Sequence, residues 1–238
     1  MIDSKASNPQ AAEANDAPAT PPPPAPPQAI QAFRSPAAWL TLLLVLGLGM
    51  AVDISTKYWS FATVAGQPVQ LDRAWLLEDE SRNPIPYHQG IHVLPWRLLD
   101  FRLVINRGAV FGIGANQRVF FIAFTFVALA VGLYVFGRHT TSRSRMAHVA
   151  LGLILAGGIG NLYDRIVYGV VRDFLHMLPG RHLPFNWKWP GSGNPEMFPW
   201  VFNVADVMLL TGMVLLMLHI NSVEKRRALH AKQQAAAR

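Results

Sequence analysis

"MAHVALGLILAGGIGNLYDRIVYGVVRDF", Met146 to Phe174, is the stretch that decides the fold. It begins as an apolar run of the kind that enters a bilayer, and then Asn161, Asp164, Arg165 and Asp173 follow within a few residues. The charges collect at one end of the run. The stretch therefore reads as a membrane helix that delivers polar groups to an interface.

The rest of the chain supports that class. Of 238 residues, 51% are hydrophobic and only 15% charged, where a soluble domain carries roughly 25% charged residues. There is no cysteine, which excludes disulfides, thiolate chemistry and a cysteine zinc site. The net charge of +7 is accounted for by basic loops on one side of the membrane, so no nucleic-acid partner is inferred.

Three further runs approach the ~20 residues that a hydrocarbon core of ~30 Å requires. They are "SPAAWLTLLLVLGLGMAV" (Ser35 to Val52), "VFFIAFTFVALAVGLYVF" (Val119 to Phe136) and "FPWVFNVADVMLLTGMVLLMLHI" (Phe198 to Ile220); with Met146 to Arg165 they make four spans. Ser35 is a ready N-cap and Pro36 suits the first helical position. A cleaved signal peptide is disfavoured, because the first run lies far from the N-terminus, lacks a basic leader and has no small-residue cleavage site after it.

Charge asymmetry orients the spans. The link between the second and third holds Arg138, Arg143 and Arg145 with no acid, and the tail after Ile220 holds Lys225, Arg226, Arg227, Lys232 and Arg238 against Glu224. Both face the cytoplasm by the positive-inside rule, as do both termini. Residues 1–34 read as a disordered Pro/Ala-rich cytoplasmic tail, 35–220 as the membrane domain, and 221–238 as a basic cytoplasmic tail. The outer segments are 57–118 and 166–197.

In the first outer segment, "LDFRLVINRGAVFGIG" sets Phe101, Leu103 and Ile105 against Arg102, Val104 and Asn106, the alternation of a half-buried strand. The second, "LPGRHLPFNWKWPGSGNPEMFPW", is rich in Pro, Gly and Trp and predicts irregular chain with tryptophans at headgroup level. The expected fold is an all-α polytopic membrane protein: four transmembrane helices with a small extracytoplasmic β element. No internal repeat is visible.

In this orientation Asp53 and Lys57 reach the outer end of the first helix. Asn161, Asp164 and Arg165 reach that of the third, with Asp173 just beyond. The fourth helix runs inward from Phe198, which places Asp206 eight residues in, or ~12 Å along the axis. The four acids thus converge on one depth. Structural readings stand beside this one: an Asp164–Arg165 ion pair, an Asp53–Lys57 pair at helical spacing, and Asn106, Asn161 and Asn203 as amide bridges between helices. Gly157, Gly158 and Gly160 read first as close-packing positions.

Asp206 has no Lys or Arg within a turn, and an unpaired carboxylate in hydrocarbon costs ~2.5–3.5 kcal/mol. Asp173 is its partner by depth. Two adjacent carboxyl groups share one proton, so one member can take a proton from water while the other polarises a carbonyl. Spacing alone does not establish that they touch.

Four motifs, "DISTK" (Asp53 to Lys57), "NRGAVF" (Asn106 to Phe111), "GNLYDRIVYGVVRDF" (Gly160 to Phe174) and "FNVAD" (Phe202 to Asp206), together resemble the ordered motif set of the bacterial lipoprotein signal peptidases, or signal peptidase II. The resemblance covers Ser35 to Ile220. It implies an aspartic endopeptidase of the bacterial inner membrane that cleaves diacylglyceryl-modified prolipoproteins before the lipidated cysteine. By motif position, Asp173 and Asp206 would be catalytic. Asn106, Gly108, Asn161, Arg165, Asn203 and Ala205 would line or brace the substrate site, with Asp53, Lys57 and Asp164 in support. The implied enzyme is a monomer among membrane lipids, with neither cofactor nor metal. Val110 departs from a usual alanine, both outer segments are longer than the family's habit, and the N-terminal tail is extra.

Other chemistries fit less well. Ser55 and Lys57 are two apart on a helix and do not face each other as a serine–lysine pair would. His88 and His92 lack the glutamate of a zinc-protease helix, and Pro84 and Pro86 place them in a loop. A proton-coupled transporter using Asp53, Asp164 and Asp206 would need polar residues continuing towards the cytoplasm. A non-catalytic scaffold would retain the motifs without a working pair.

Overall fold

The computed structural model describes residues 29–79, 81–108, 118–190 and 193–236. Most of the expected disordered tail, and Val110, lie outside the described residues. The last residues assigned to that tail are ordered. Ala32–Arg34 forms a 3-10 turn, and the Ala32 N–H donates to the Thr140 carbonyl at 3.0 Å, which ties the start of the chain to the link between the second and third spans.

Among the described residues, four helices are long and apolar enough to cross a membrane. They are α1 (Pro36–Thr63), α3 (Arg118–His139), α4 (Arg145–Val167) and α5 (Val204–Ala236), with a short α2 (Arg73–Glu78) between the first two. The protein is a membrane protein. The N-cap of α1 is as expected: Ser35 Oγ accepts the Ala38 N–H at 3.3 Å, and Pro36 occupies the first turn.

α4 is the central helix. Most of its residues are buried, whereas α1, α3 and α5 present largely exposed apolar side chains to their surroundings. Small residues permit that centrality. A Cβ added at Gly157 would run into the Ala205 carbonyl oxygen of α5, and one at Gly160 into the Asp53 carboxylate of α1. Close backbone approach of this kind is how helices pack where no water drives them together.

At one end of the bundle sits an antiparallel sheet in the order β1 (Ile91–His92), β2 (Leu99–Asn106), β3 (Val171–Met177), β4 (Val201–Phe202). β2 is the strand that the alternation predicts. Its Phe101, Leu103 and Ile105 pack with Phe174 of β3 onto Phe61 and Val64 at the end of α1. That cluster explains why α1 continues past Val52, the expected end of the span: its last turns leave the apolar run to support the sheet.

The fourth span also differs from expectation. Its first residues are not helical. Val201 and Phe202 pair with His176 and Leu175 of β3, and the helix begins only at Val204. Asp206 is therefore in the first turn of α5 rather than eight residues along it. α5 then runs on to Ala236, so the basic tail is helical over its described residues. The described residues of 178–190 and 193–200 are largely irregular, as the composition predicts, with a 3-10 turn at Pro184–Asn186.

Candidate functional site

Where the sheet meets the helices, polar side chains from α1, β2, α4, β3 and α5 form one buried cluster. Its acidic centre is set by two local structures. Asn203 precedes α5 and Asp206 follows three residues later. The Asn203 Oδ1 accepts the Asp206 N–H at 3.1 Å, and Asp206 Oδ2 accepts the Asn203 N–H at 3.1 Å. This is a reciprocal capping box, which satisfies helix-terminal donors and aims the Asp206 carboxylate back across the helix start. Asp173 lies on β3, where alternation turns it to the same face as Val171. The register Asn106↔Val171 and Val104↔Asp173 brings Asn106 diagonally across from Asp173, and Asn106 Nδ2 donates to Asp173 Oδ2 at 2.9 Å.

Two amides join the acids. Asn203 Nδ2 donates both to Asp173 Oδ1 and to Asn161 Oδ1, and Asn161 Nδ2 donates to Asp206 Oδ1 at 2.8 Å. Asn161 in turn is oriented by Lys57, whose Nζ donates to its Oδ1 at 3.0 Å. Lys57 is fully buried and also contacts Asp53 Oδ2 at 2.8 Å and Asp164 Oδ2 at 3.5 Å. Asp53 uses its other oxygen to accept the Ala205 N–H at 2.9 Å, pinning the start of α5 to α1.

The expected Asp164–Arg165 pair does not form. Consecutive residues on a helix point about 100° apart, so neighbours do not face one another. Asp164 instead receives the Arg172 guanidinium, at 2.8 Å from Nη2, and the Arg172 backbone N–H at 3.0 Å. Arg165 turns the other way, donating to the Gly108 carbonyl at 2.9 Å and lying over the Phe121 ring of α3 at 5.3 Å. Gly108 is held by its own N–H, which donates to Asn106 Oδ1. The Asp53–Lys57 pair does form, as one edge of a larger network.

Burial dominates the electrostatics of Asp173, which is 1% exposed. Loss of solvent, reinforced by the nearby Asp206 charge, pushes its carboxyl up to about 8, against weaker opposing pulls from Asn106, Asn203 and Lys57. Two carboxyl groups held this close favour sharing one proton between them.

A cavity of about 270 Å³ opens beside the pair. Asn106, Asn161, Arg165 and Asp206 form its polar wall, and Phe120, Phe121 and Phe124 of α3 its apolar one. These phenylalanines were not singled out from the sequence, where they merge into a uniformly apolar span. Arg172 was missed too, since its partner lies on another element. All eleven candidate site residues are among the described ones, and all fall in this cluster.

His88 and His92 do not share a site. His88 Nε2 accepts the Leu103 N–H at 3.0 Å, holding the loop against β2, and His92 contacts Asp100 at 2.9 Å. Among the described residues no three His, Asp or Glu side chains are grouped to hold a metal ion.

A sheet-capped bundle of apolar helices with a polar site at one end is a known membrane-enzyme fold. The chain superimposes on a bacterial membrane enzyme solved by the in meso method at 2.3 Å with a TM-score of 0.56 at 22% identity, covering 82% of this chain and 93% of that one. The family follows from sequence: the signal peptidase (SPase) II model matches residues 45–222, and the chain belongs to that family of proteases. It is 37% identical over 139 residues to a lipoprotein signal peptidase of Symbiobacterium thermophilum, covering 58% of this chain and 80% of the relative. With that of Geobacter metallireducens it shares 34% over 176 residues, covering 72% and 96% respectively. Membership supports a role in lipoprotein signal-peptide processing.

Proposed function

We propose that this chain is an intramembrane aspartic endopeptidase. It removes signal peptides from diacylglyceryl-modified prolipoproteins by cutting before the lipidated cysteine, with Asp173 and Asp206 as its catalytic pair. The observation that carries this reading is the joint suspension of the two carboxyl groups from Asn203 and Asn161, beside a cavity with one polar and one apolar wall.

The roles divide by environment. Asp206 sits at a helix N-terminus, where the backbone dipole favours negative charge, and accepts bonds from a backbone N–H and the Asn161 amide. It acts as the base, taking a proton from water as the water oxygen bonds to the scissile carbonyl carbon. Asp173, holding the proton, polarises the carbonyl oxygen and then protonates the departing amine as the C–N bond breaks. Arg165 and Asn106 align the peptide, and the phenylalanine wall of α3 receives its apolar part.

The site would face outward from the bacterial inner membrane. The Arg138, Arg143 and Arg145 link and the basic C-terminal helix, both cytoplasmic by charge, belong to the ends of α3, α4 and α5 remote from the sheet. The substrate and its lipid would then arrive laterally at the level where the polar cluster lies, and the enzyme works as a monomer among lipids.

The test is cleavage of a lipid-modified prolipoprotein by purified protein in detergent, comparing wild type with Asp173→Asn and Asp206→Asn at matched thermal unfolding. Cleavage before the lipidated cysteine by wild type, and its loss in both folded variants, supports the pair. Equal cleavage by all three refutes it.

A further inference from the structure

The proposed reaction leaves Arg172 without a role. It is 3% exposed and immediately precedes Asp173, yet strand alternation turns it to the opposite face. There it stacks on the Tyr168 ring at 4.4 Å and lines a second cavity, of about 290 Å³, with Tyr58 and Gln70. Its guanidinium and its backbone N–H both bond to Asp164, which is fully buried.

Within one connected quartet the buried charges balance: Lys57 and Arg172 against Asp53 and Asp164. Within that balance Lys57 makes its shorter contacts to Asp53, at 2.8 Å, and Asn161, at 3.0 Å, and stands 3.5 Å from Asp164. A lysine can only donate, so together with the Asn203 amide it draws Asn161 Oδ1 inward and sets Asn161 Nδ2 towards Asp206. We propose that Arg172 is a positioning residue for the catalytic pair. By neutralising Asp164 it leaves Lys57 to hold Asn161, and through Asn161 the Asp206 carboxylate, while the Asp164 contacts fix the strand backbone just before Asp173.

Without the guanidinium, Asp164 would be a buried anion with Lys57 as its remaining ion-pair partner, a costly state. The Lys57 ammonium would close on it and leave Asn161 Oδ1 to the Asn203 amide alone, and the loosened Asn161 would hold Asp206 less firmly. The apolar wall on α3 is untouched by this change, so the loss falls on the chemical step rather than on binding.

This inference rests on the proposed Asp173–Asp206 pair, and the experiment separates the two. Cleavage kinetics against pH are measured for wild type, Arg172→Gln, Arg172→Lys, the double variant Asp164→Asn/Arg172→Gln, and Asp206→Asn, with thermal unfolding of each. Arg172→Gln is expected to lower kcat about 10²-fold with KM unchanged, the effect of a small misplacement of reacting groups. Its alkaline limb should move to higher pH, because Lys57 has left the pair and Asp164 is no longer neutralised. Arg172→Lys, which keeps the charge without the fork, should fall between. The double variant removes both charges, leaves Lys57 with Asp53 and Asn161, and should recover about tenfold of the lost kcat, as a coupled pair does.

A folded Arg172→Gln with wild-type kcat overturns the proposal. So does a double variant that folds but recovers nothing, or a pH profile that does not move, since a merely structural arginine would behave that way. If Arg172→Gln does not fold, the double variant and Arg172→Lys decide by the same readings. If Asp206→Asn is inactive while Arg172→Gln cleaves normally, this inference alone falls; if Asp206→Asn cleaves normally, the catalytic pair falls and the positioning role with it.

Discussion

Lys57 Nζ and Asn161 Oδ1 lie 3.0 Å apart, and this hydrogen bond, with a second to the same oxygen from Asn203 Nδ2, decides which way the Asn161 amide faces. Because the ammonium has no acceptor to offer, the amide nitrogen must point to Asp206. A cation on α1 thereby fixes a carboxylate on α5 that it does not touch among the hydrogen bonds of the cluster.

Removing that cation is expected to be severe. Lys57→Met leaves Asp53 and Asp164, both fully buried, with Arg172 as the remaining cation of the quartet. Breaking a buried pair by deleting one partner costs about 3–5 kcal/mol. Thermal unfolding in detergent should show a large fall in Tm, and a variant as stable as wild type would contradict the network.

Asn203 separates capping from bridging. Asn203→Ser keeps a capping oxygen for the Asp206 N–H but loses the amide donor that joins Asp173 to Asn161, so it should remain helical and folded yet lose cleavage. Asn203→Ala loses both, at about 0.5–2 kcal/mol for the cap. Circular dichroism, unfolding and cleavage measured together distinguish the two variants.

Asp173 sets a pH dependence. Its carboxyl is pushed from an ordinary 3.8 up to about 8, first by burial and then by Asp206. The folded protein thus binds this proton more tightly than the unfolded chain, and the resulting stability is fully present below the ordinary value and is lost as pH rises through about 8. Cleavage, which needs the protonated acid, should fall over the same alkaline limb. Asp173→Asn cannot titrate, so its Tm should lose that dependence; an unchanged slope would show that another group causes it.

Gly157 tests the helix contact beneath the site. An added Cβ meets the Ala205 carbonyl oxygen and the Leu209 side chain, both on α5, so Gly157→Ala forces α4 and α5 apart. Overpacking costs typically about 1–3 kcal/mol, and because Ala205 also anchors on Asp53, activity should drop with stability. Gly47→Ala, where nothing lies within 4 Å of the added carbon, is the control.

Much of this was legible in the chain. Apolar runs of bilayer length marked the four spans, and alternation marked β2. Asp53, Lys57, Asn161, Asp164 and Asp173 read from the sequence as gathering at one end of the bundle, and the structure joins them in one polar network. The misplacements have physical causes. α1 outlasts its apolar run because Phe61 and Val64 bury under the sheet, a gain invisible to hydropathy. Val201 and Phe202 read as helix because they are apolar, but β3 offers them a strand edge, and that shifts Asp206 to the first turn of α5. Asp164 appeared to belong with Arg165 by adjacency, whereas helix geometry excludes it and a strand supplies Arg172.

The sequence by itself determined that this chain crosses a membrane and gathers its polar residues at one end, since hydropathy and charge act locally and are read from consecutive residues. Only the tertiary structure decided which acid meets which cation and which amide bridges the two candidate catalytic carboxyls. Those choices rest on contacts between residues far apart in the chain, such as Lys57 with Asn161 and Asp53 with Ala205, separated by 104 and 152 positions. A hydrogen bond requires partners within about 3 Å, and at such separations only the packing of α1, α4, β3 and α5 against one another can set that distance.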